Sequence, residues 1–115
     1  MPGMRSKNKG KRGEREAAAE ISRLFSVEAR RGVQYQGGPG SPDVVAKLPG
    51  VHIEVKRTET LSIYQAIKQA KADAPEDSVP VVLHRRNGKK WLCVVELDDL
   101  PALASRLFLV SAENA

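Results

Sequence analysis

The alternating segment VHIEVKR, residues 51–57, constrains the fold of this chain more than any other feature. Successive side chains of a β-strand point to opposite faces, so valine and isoleucine would face a core while His52, Glu54 and Lys56 line the other face. The segment DVVA, residues 43–46, precedes it with only KLPG between them. So short a connection favours an antiparallel hairpin.

A roughly symmetric hairpin would bring Asp43 beside Glu54 across the two strands, although a bulge near the turn could shift the register. The polar face then has two interpretations. It is either the solvated face of a half-exposed strand or a reaction centre built on two carboxylates.

Hydrophobic spacing and turn signals predict the remaining elements. The expected helices run from Gly13 to about Glu28, from a Ser62–Gln65 capping box to about Ala74, and over residues 98–110. Further strands are expected at residues 32–36 and on both sides of the Asn87–Gly88 turn. The order helix, three strands, helix, two strands, helix predicts an α/β or α+β fold, with a mixed central sheet flanked by helices.

Length and composition favour one globular domain. The chain has 115 residues, 41% of them hydrophobic and 29% charged, and no apolar run approaches the roughly 20 residues that span a membrane. No apolar segment follows the basic N-terminus as it would in a secretory signal, so we expect a cytoplasmic protein without a membrane partner. Cys93 lies in the apolar run WLCVV and is expected to be a buried, reduced thiol.

Positive charge is concentrated at the N-terminus. The net charge is +5, and residues 1–15 contain the basic residues Arg5, Lys7, Lys9, Lys11, Arg12 and Arg15. We expect residues 1–11 to form a flexible basic arm and residues 12–115 to form a single domain. A polyanion is the expected partner, and a merely solubilising tail is the alternative.

The opening segment contains the groups that metal-assisted hydrolysis requires. Two neighbouring carboxylates, Asp43 and Glu54, repel each other, and a hard cation such as Mg²⁺ or Mn²⁺ would relieve that repulsion. Lys56 follows Glu54 by two residues, about 6.5 to 7 Å along a strand. The helical phase places a third carboxylate, Glu14, at the start of the apolar stripe, whereas Glu16 would point away from it.

Pro42-Asp43, Glu54-Val55-Lys56 and the preceding helix with Glu14 resemble the PD-(D/E)xK nuclease superfamily. GEREAAAEI, GSPDVV and IEVK are most similar to the archaeal-type Holliday junction resolvases and their small phage-encoded relatives. The resemblance covers about residues 10–96. It implies a restriction-endonuclease-like αβββαβ core and a metal-dependent DNA endonuclease. A resolvase acting on Holliday junctions or other branched DNA would work as a homodimer.

The same resemblance implies roles for individual residues. Asp43, Glu54 and the Val55 carbonyl would hold Mg²⁺, or Mn²⁺ as a substitute, with Glu14 completing the site directly or through water. Lys56 would orient the attacking water, and Gln65 would lie near the metal or the scissile phosphate. The expected DNA contacts are Lys7, Lys9, Lys11, Arg12, Arg15 and Arg57. His52 has no assigned task. The alternatives are a nicking or end-processing nuclease and a non-catalytic DNA-binding module of the same fold.

Overall fold

Five strands form one sheet in the computed structural model, which describes residues 2–32 and 41–113, with side chains in 10–32 and 41–111. Their bounds are β1 Ala29–Arg31, β2 Val44–Ala46, β3 Val51–Arg57, β4 Val79–Arg85 and β5 Leu92–Val94. The strands lie in the order β1-β2-β3-β4-β5. Neighbours are antiparallel except β3 and β4, which are parallel.

Three α-helices flank this sheet in the described part of the chain: α1 Pro2–Phe25, α2 Ile63–Asp73 and α3 Leu100–Glu113, the last preceded by a short 3₁₀ helix, Leu97–Asp99. Helix α2 connects the parallel strands β3 and β4, as such a pair requires. Helix α1 begins before Gly13, where the apolar periodicity placed its start. Ser62 is the N-cap of α2 but makes no side-chain cap hydrogen bond, so the capping box is not formed.

The two faces of the sheet are covered by different helices. Helices α1 and α3 contribute Ala17, Ile21 and Leu103 to a core that includes Ile53 of β3 and Val81 of β4. Helix α2 packs a smaller cluster on the opposite face, consisting of Ala66, Ile67, Ala70 and Val82. The mixed sheet with helices on both faces confirms the predicted α/β class.

The sequence-based prediction did not include the first strand of the sheet, and at the other edge it is wrong about Cys93. The first strand is Ala29–Arg31, a segment without strong strand propensity that pairs with β2, whereas the strand predicted over residues 32–36 falls almost entirely outside the described residues. At the other edge β5 is short, and Cys93 is exposed on it instead of buried. Edge strands depend on tertiary pairing more than on their own sequence.

The turn between β4 and β5 also differs from the expected tight hairpin. Gly88 has a φ of 71°, whereas Asn87 is not among the described residues with positive φ. The Lys89 N–H donates to the Arg86 carbonyl at 3.2 Å. Residues 86–91 connect the two strands, so a two-residue turn with positive φ at both positions is not needed.

No helix among the described residues is both long and apolar enough to cross a membrane.

Candidate active site

A local irregularity in the β2–β3 hairpin places Asp43. Val44 pairs with Ile53, and the N–H of the preceding residue, Asp43, also donates to the Ile53 carbonyl at 2.9 Å. Two consecutive residues therefore lie opposite one, as in a β-bulge, which often redirects a side chain next to an active site. The short KLPG connection and the pairing of Val44 with Ile53 fix this position.

Asp43 immediately precedes β2, and its carboxyl group lies beside the part of β3 that extends past the paired residues of β2. The Val55 N–H donates to Asp43 Oδ2 at 2.8 Å, and the Asp43 carboxyl also hydrogen-bonds the side chain of Glu54. Burial raises the pKa of Asp43 to about 7, assisted by that hydrogen bond and by the charge of Glu54, while the Val55 N–H opposes the shift. The predicted proximity of Asp43 and Glu54 is confirmed.

His52 and Glu54 form a buried pair and not a solvated strand face. Their relative exposures are 3% and 8%. These two side chains therefore do not lie on a solvated strand face, which was one of the two interpretations of the alternating segment. His52 Nε2 donates to Glu54 Oε1 at 2.8 Å, so the histidine holds one carboxylate oxygen in place. Buried polar groups require such partners, and His52 thereby acquires the positioning task that the sequence did not assign.

Glu14 faces the sheet as its helical phase predicted, and its partner is a residue that the sequence-based reasoning missed. Arg31 Nε of β1 donates to Glu14 Oε2 at 2.7 Å in a part-buried ion pair. Glu14 is still near enough for its charge to raise the pKa of Asp43. No three or more His, Cys, Asp or Glu side chains converge for a metal within the described residues, so a direct ligand role for Glu14 stays a prediction.

Lys56 reaches an open groove between β3 and α2. Its Nζ donates to Gln69 Oε1 at 3.1 Å. The groove has a volume of about 600 Å³, and its lining includes Lys56, Gln65 and Gln69. Gln65 lines the same groove, and its expected place near the metal or the scissile phosphate stays a prediction. The acceptor for Lys56 is Gln69, one helical turn further along.

The donors at the hairpin fit a hard divalent cation held by two carboxylates and a carbonyl. Asp43 and Glu54 bring four carboxylate oxygens to the hairpin; Asp43 Oδ2 accepts from the Val55 N–H, and Glu54 Oε1 pairs with His52. The N–H and C=O of one strand residue point to the same side, so the Val55 carbonyl is directed toward Asp43. A cation would replace the proton that the crowded pair otherwise retains.

The predicted DNA contacts have different outcomes. Lys11, Arg12 and Arg15 are exposed, whereas the side chains of Lys7 and Lys9 lie outside the described residues. Arg57 is largely buried and occupied: its Nε contacts Glu16 Oε2 at 3.2 Å. Because its guanidinium is engaged within the protein, the structure does not favour Arg57 as a phosphate contact.

Glu16 is not turned away from the sheet, contrary to the helical-phase prediction. It contacts both Arg57 and Arg85, which lie at the ends of β3 and β4. Helical phase locates a Cα but ignores the reach of long arginine side chains, which explains the error.

Comparisons with known proteins add no assignment to this geometry. No protein-family model matches the chain, and neither a curated protein nor a solved structure matches it.

Proposed function

We propose that the protein is a metal-dependent DNA endonuclease that hydrolyses phosphodiester bonds with Mg²⁺, for which Mn²⁺ would substitute. One observation carries this proposal: the Asp43 and Glu54 carboxyl groups meet at a β-bulge, with Lys56 two residues further along the same strand. Two crowded carboxylates are costly for stability alone, whereas a cation would relieve their repulsion and a phosphate would pair with the lysine.

The residues have separate tasks in this proposal. Bound Mg²⁺ would supply charge neutralisation at the phosphate and a more acidic water. Asp43, Glu54 and the Val55 carbonyl would hold the ion. His52 keeps the Glu54 carboxylate oriented, and Gln69 keeps the Lys56 ammonium beside the groove. From there Lys56 would hold the attacking water or a phosphate oxygen and offset the charge that develops on it.

Exposed positive charge supports DNA as the polyanion. The net charge of +5 and the exposed residues Lys11, Arg12 and Arg15 favour a phosphate backbone over a small neutral substrate. Four-way junctions and other branched DNA belong to this proposal as candidate substrates. Paired cuts at a junction would require a homodimer with two sites. Such an enzyme would act in the cytoplasm of a bacterium or of a phage-infected host.

The test is a cleavage panel. Purified protein is mixed with a four-way junction, a fork, linear duplex and single-stranded DNA, each with Mg²⁺, with Mn²⁺ and with EDTA. We expect endonucleolytic products that require the metal. Symmetric paired nicks confined to the junction would select the resolvase, and nicks in ordinary duplex would select the nicking enzyme. An absence of cutting on every substrate with either metal would overturn the nuclease and leave a DNA-binding module.

A further inference from the structure

The turn between β4 and β5 is a basic surface that the proposed site does not include. Residues 85–90 read RRNGKK, with no acidic residue among them. Arg86, Lys89 and Lys90 are exposed, and none of the three forms an ion pair with a described acidic side chain. This surface, residues 86–90, is called the basic turn below.

The basic turn lies at the same end of the central strands as the candidate catalytic lysine. Strands β3 and β4 are parallel, and Lys56 pairs with His84 while Arg57 pairs with Arg85. The carboxyl ends of both strands therefore lie at the same end of the sheet, called the carboxyl edge below, and the turn begins directly after Arg85.

Helix α1 reaches the carboxyl edge as well, through a close contact at Gly13. A β-carbon on Gly13 would lie 2.5 Å from the β-carbon of Arg57, so the helix backbone packs directly against that side chain. The exposed residues Lys11 and Arg12, immediately before Gly13, are thereby brought to the carboxyl edge. Exposed positive side chains of both α1 and the basic turn are thus located near the carboxyl ends of β3 and β4.

Arg57, which is largely buried, joins the basic turn to β3. Arg57 Nη2 donates to Asn87 Oδ1 at 2.9 Å, and Nη1 donates to the Arg85 carbonyl at 3.3 Å. From the other side, the Asn87 N–H donates to Glu59 Oε1 at 3.0 Å. An anchored turn loses less conformational freedom when it binds a partner than a free one does.

We propose that the basic turn contacts the backbone phosphates of a DNA duplex that enters the candidate site, and that Arg57 and Asn87 hold it in position. This inference rests on the proposed function, because the carboxyl edge must receive the phosphodiester. Lysine and arginine contacts to phosphates position a duplex without reading its sequence. Arg57, predicted as a phosphate contact, acts in this account through the turn that it anchors.

The first test compares two double variants with the same loss of charge. Lys89→Ala/Lys90→Ala changes the turn, whereas Lys47→Ala/Lys71→Ala removes exposed lysines that pair with Glu28 and Glu96. Binding to a fluorescein-labelled duplex is measured by anisotropy in EDTA over a KCl series. We expect the slope of log K against log salt to shrink by about 2 in the turn variant, about 1 for each lysine, and to stay unchanged in the control. Equal slopes in both variants would overturn the inference.

A second variant separates position from charge. Asn87→Ala removes the acceptor for Arg57 but no charge, and its φ is compatible with alanine. We expect weaker duplex binding and a smaller salt slope, with the urea unfolding midpoint close to that of the parent. Unchanged affinity and slope would overturn the positioning role.

The two proposals fail in different ways. If the unmodified protein binds and cuts DNA while the turn variant behaves like the control variant, the inference fails and the nuclease stands. If the unmodified protein neither binds nor cuts any DNA, the proposed function fails and takes the inference with it. If the turn variant binds anionic lipid vesicles less well but binds duplex normally, the partner class is wrong.

Discussion

Replacing Asp43 with asparagine should stabilise the protein at alkaline pH. The asparagine side chain would imitate the protonated carboxyl group: its oxygen would accept from the Val55 N–H, and its amide would donate to Glu54. The repulsion between two carboxylates would disappear, and both hydrogen bonds would be kept. Asp77→Asn, at an exposed position, is the matched control.

The magnitude follows from the pKa of Asp43. Its rise from 3.8 to about 7 corresponds to about 4 kcal/mol at about 1.4 kcal/mol per pKa unit. The carboxyl group is only partly buried, so we expect about 2 to 4 kcal/mol. Because the folded state holds the proton more tightly, this contribution is present below pH 4 and is lost as the pH rises through about 7. The asparagine variant should lack that loss.

The assay is urea unfolding in EDTA, followed by circular dichroism between pH 5 and 8.5. At pH 5 the parent should have lost only part of this contribution, so the variant's advantage in free energy of unfolding should be smaller at pH 5 than at pH 8.5. Adding Mg²⁺ at tenfold over its dissociation constant should then stabilise the parent alone by about 1.4 kcal/mol. A variant that is no more stable than the parent at pH 8.5 would refute the crowded carboxyl pair, as would equal Mg²⁺ effects on both proteins.

Three other substitutions test neighbouring parts of the structure. Glu14→Gln breaks the ion pair with Arg31, so it should lower the cleavage rate and cost about 1 kcal/mol of stability. Glu76→Gln, at an exposed position, should do neither. Equal effects of the two substitutions on cleavage would remove Glu14 from the site. Lys56→Ala should reduce the single-turnover cleavage rate by about 10² or more without weakening DNA binding to the same extent, and a parental rate would contradict its role. Gly13→Ala should cost about 1 to 3 kcal/mol of stability because its β-carbon would overlap Arg57. Gly10→Ala, with open space around it, should stabilise the helix by about 0.5 to 1 kcal/mol. Thermal unfolding measures both, and a Gly13→Ala variant as stable as Gly10→Ala would contradict the close packing of α1 on Arg57.

The centre of the fold could be predicted from the sequence because its signals are local. Alternation specifies β3 over Val51–Arg57, and the short KLPG connection brings Asp43 to Glu54. The phase of α1 turns Glu14 toward the sheet. Each of these inferences depends on geometry within one element or one hairpin, where spacing along the chain determines distance in space.

The supporting contacts could not be predicted because they join distant parts of the chain. Arg31 holds Glu14 from β1, a strand that forms by pairing and not by propensity. Arg57 joins α1 to the β4–β5 turn through Glu16 and Asn87. The sequence pattern around a histidine on an alternating strand is the same whether its side chain is solvated or buried against a carboxylate. Only tertiary packing distinguishes these cases.

The most direct test is single-turnover cleavage by the parent and by Asp43→Asn, on the DNA that the parent cuts best, in Mg²⁺ and in EDTA. The account predicts that the parent cuts only with the metal. It also predicts that the variant does not cut under either condition while binding the same DNA at least as tightly, because a negative charge facing the phosphate has been removed. Cutting by the variant at the parental rate, or cutting by the parent in EDTA, would contradict a metal-dependent site at Asp43 and Glu54.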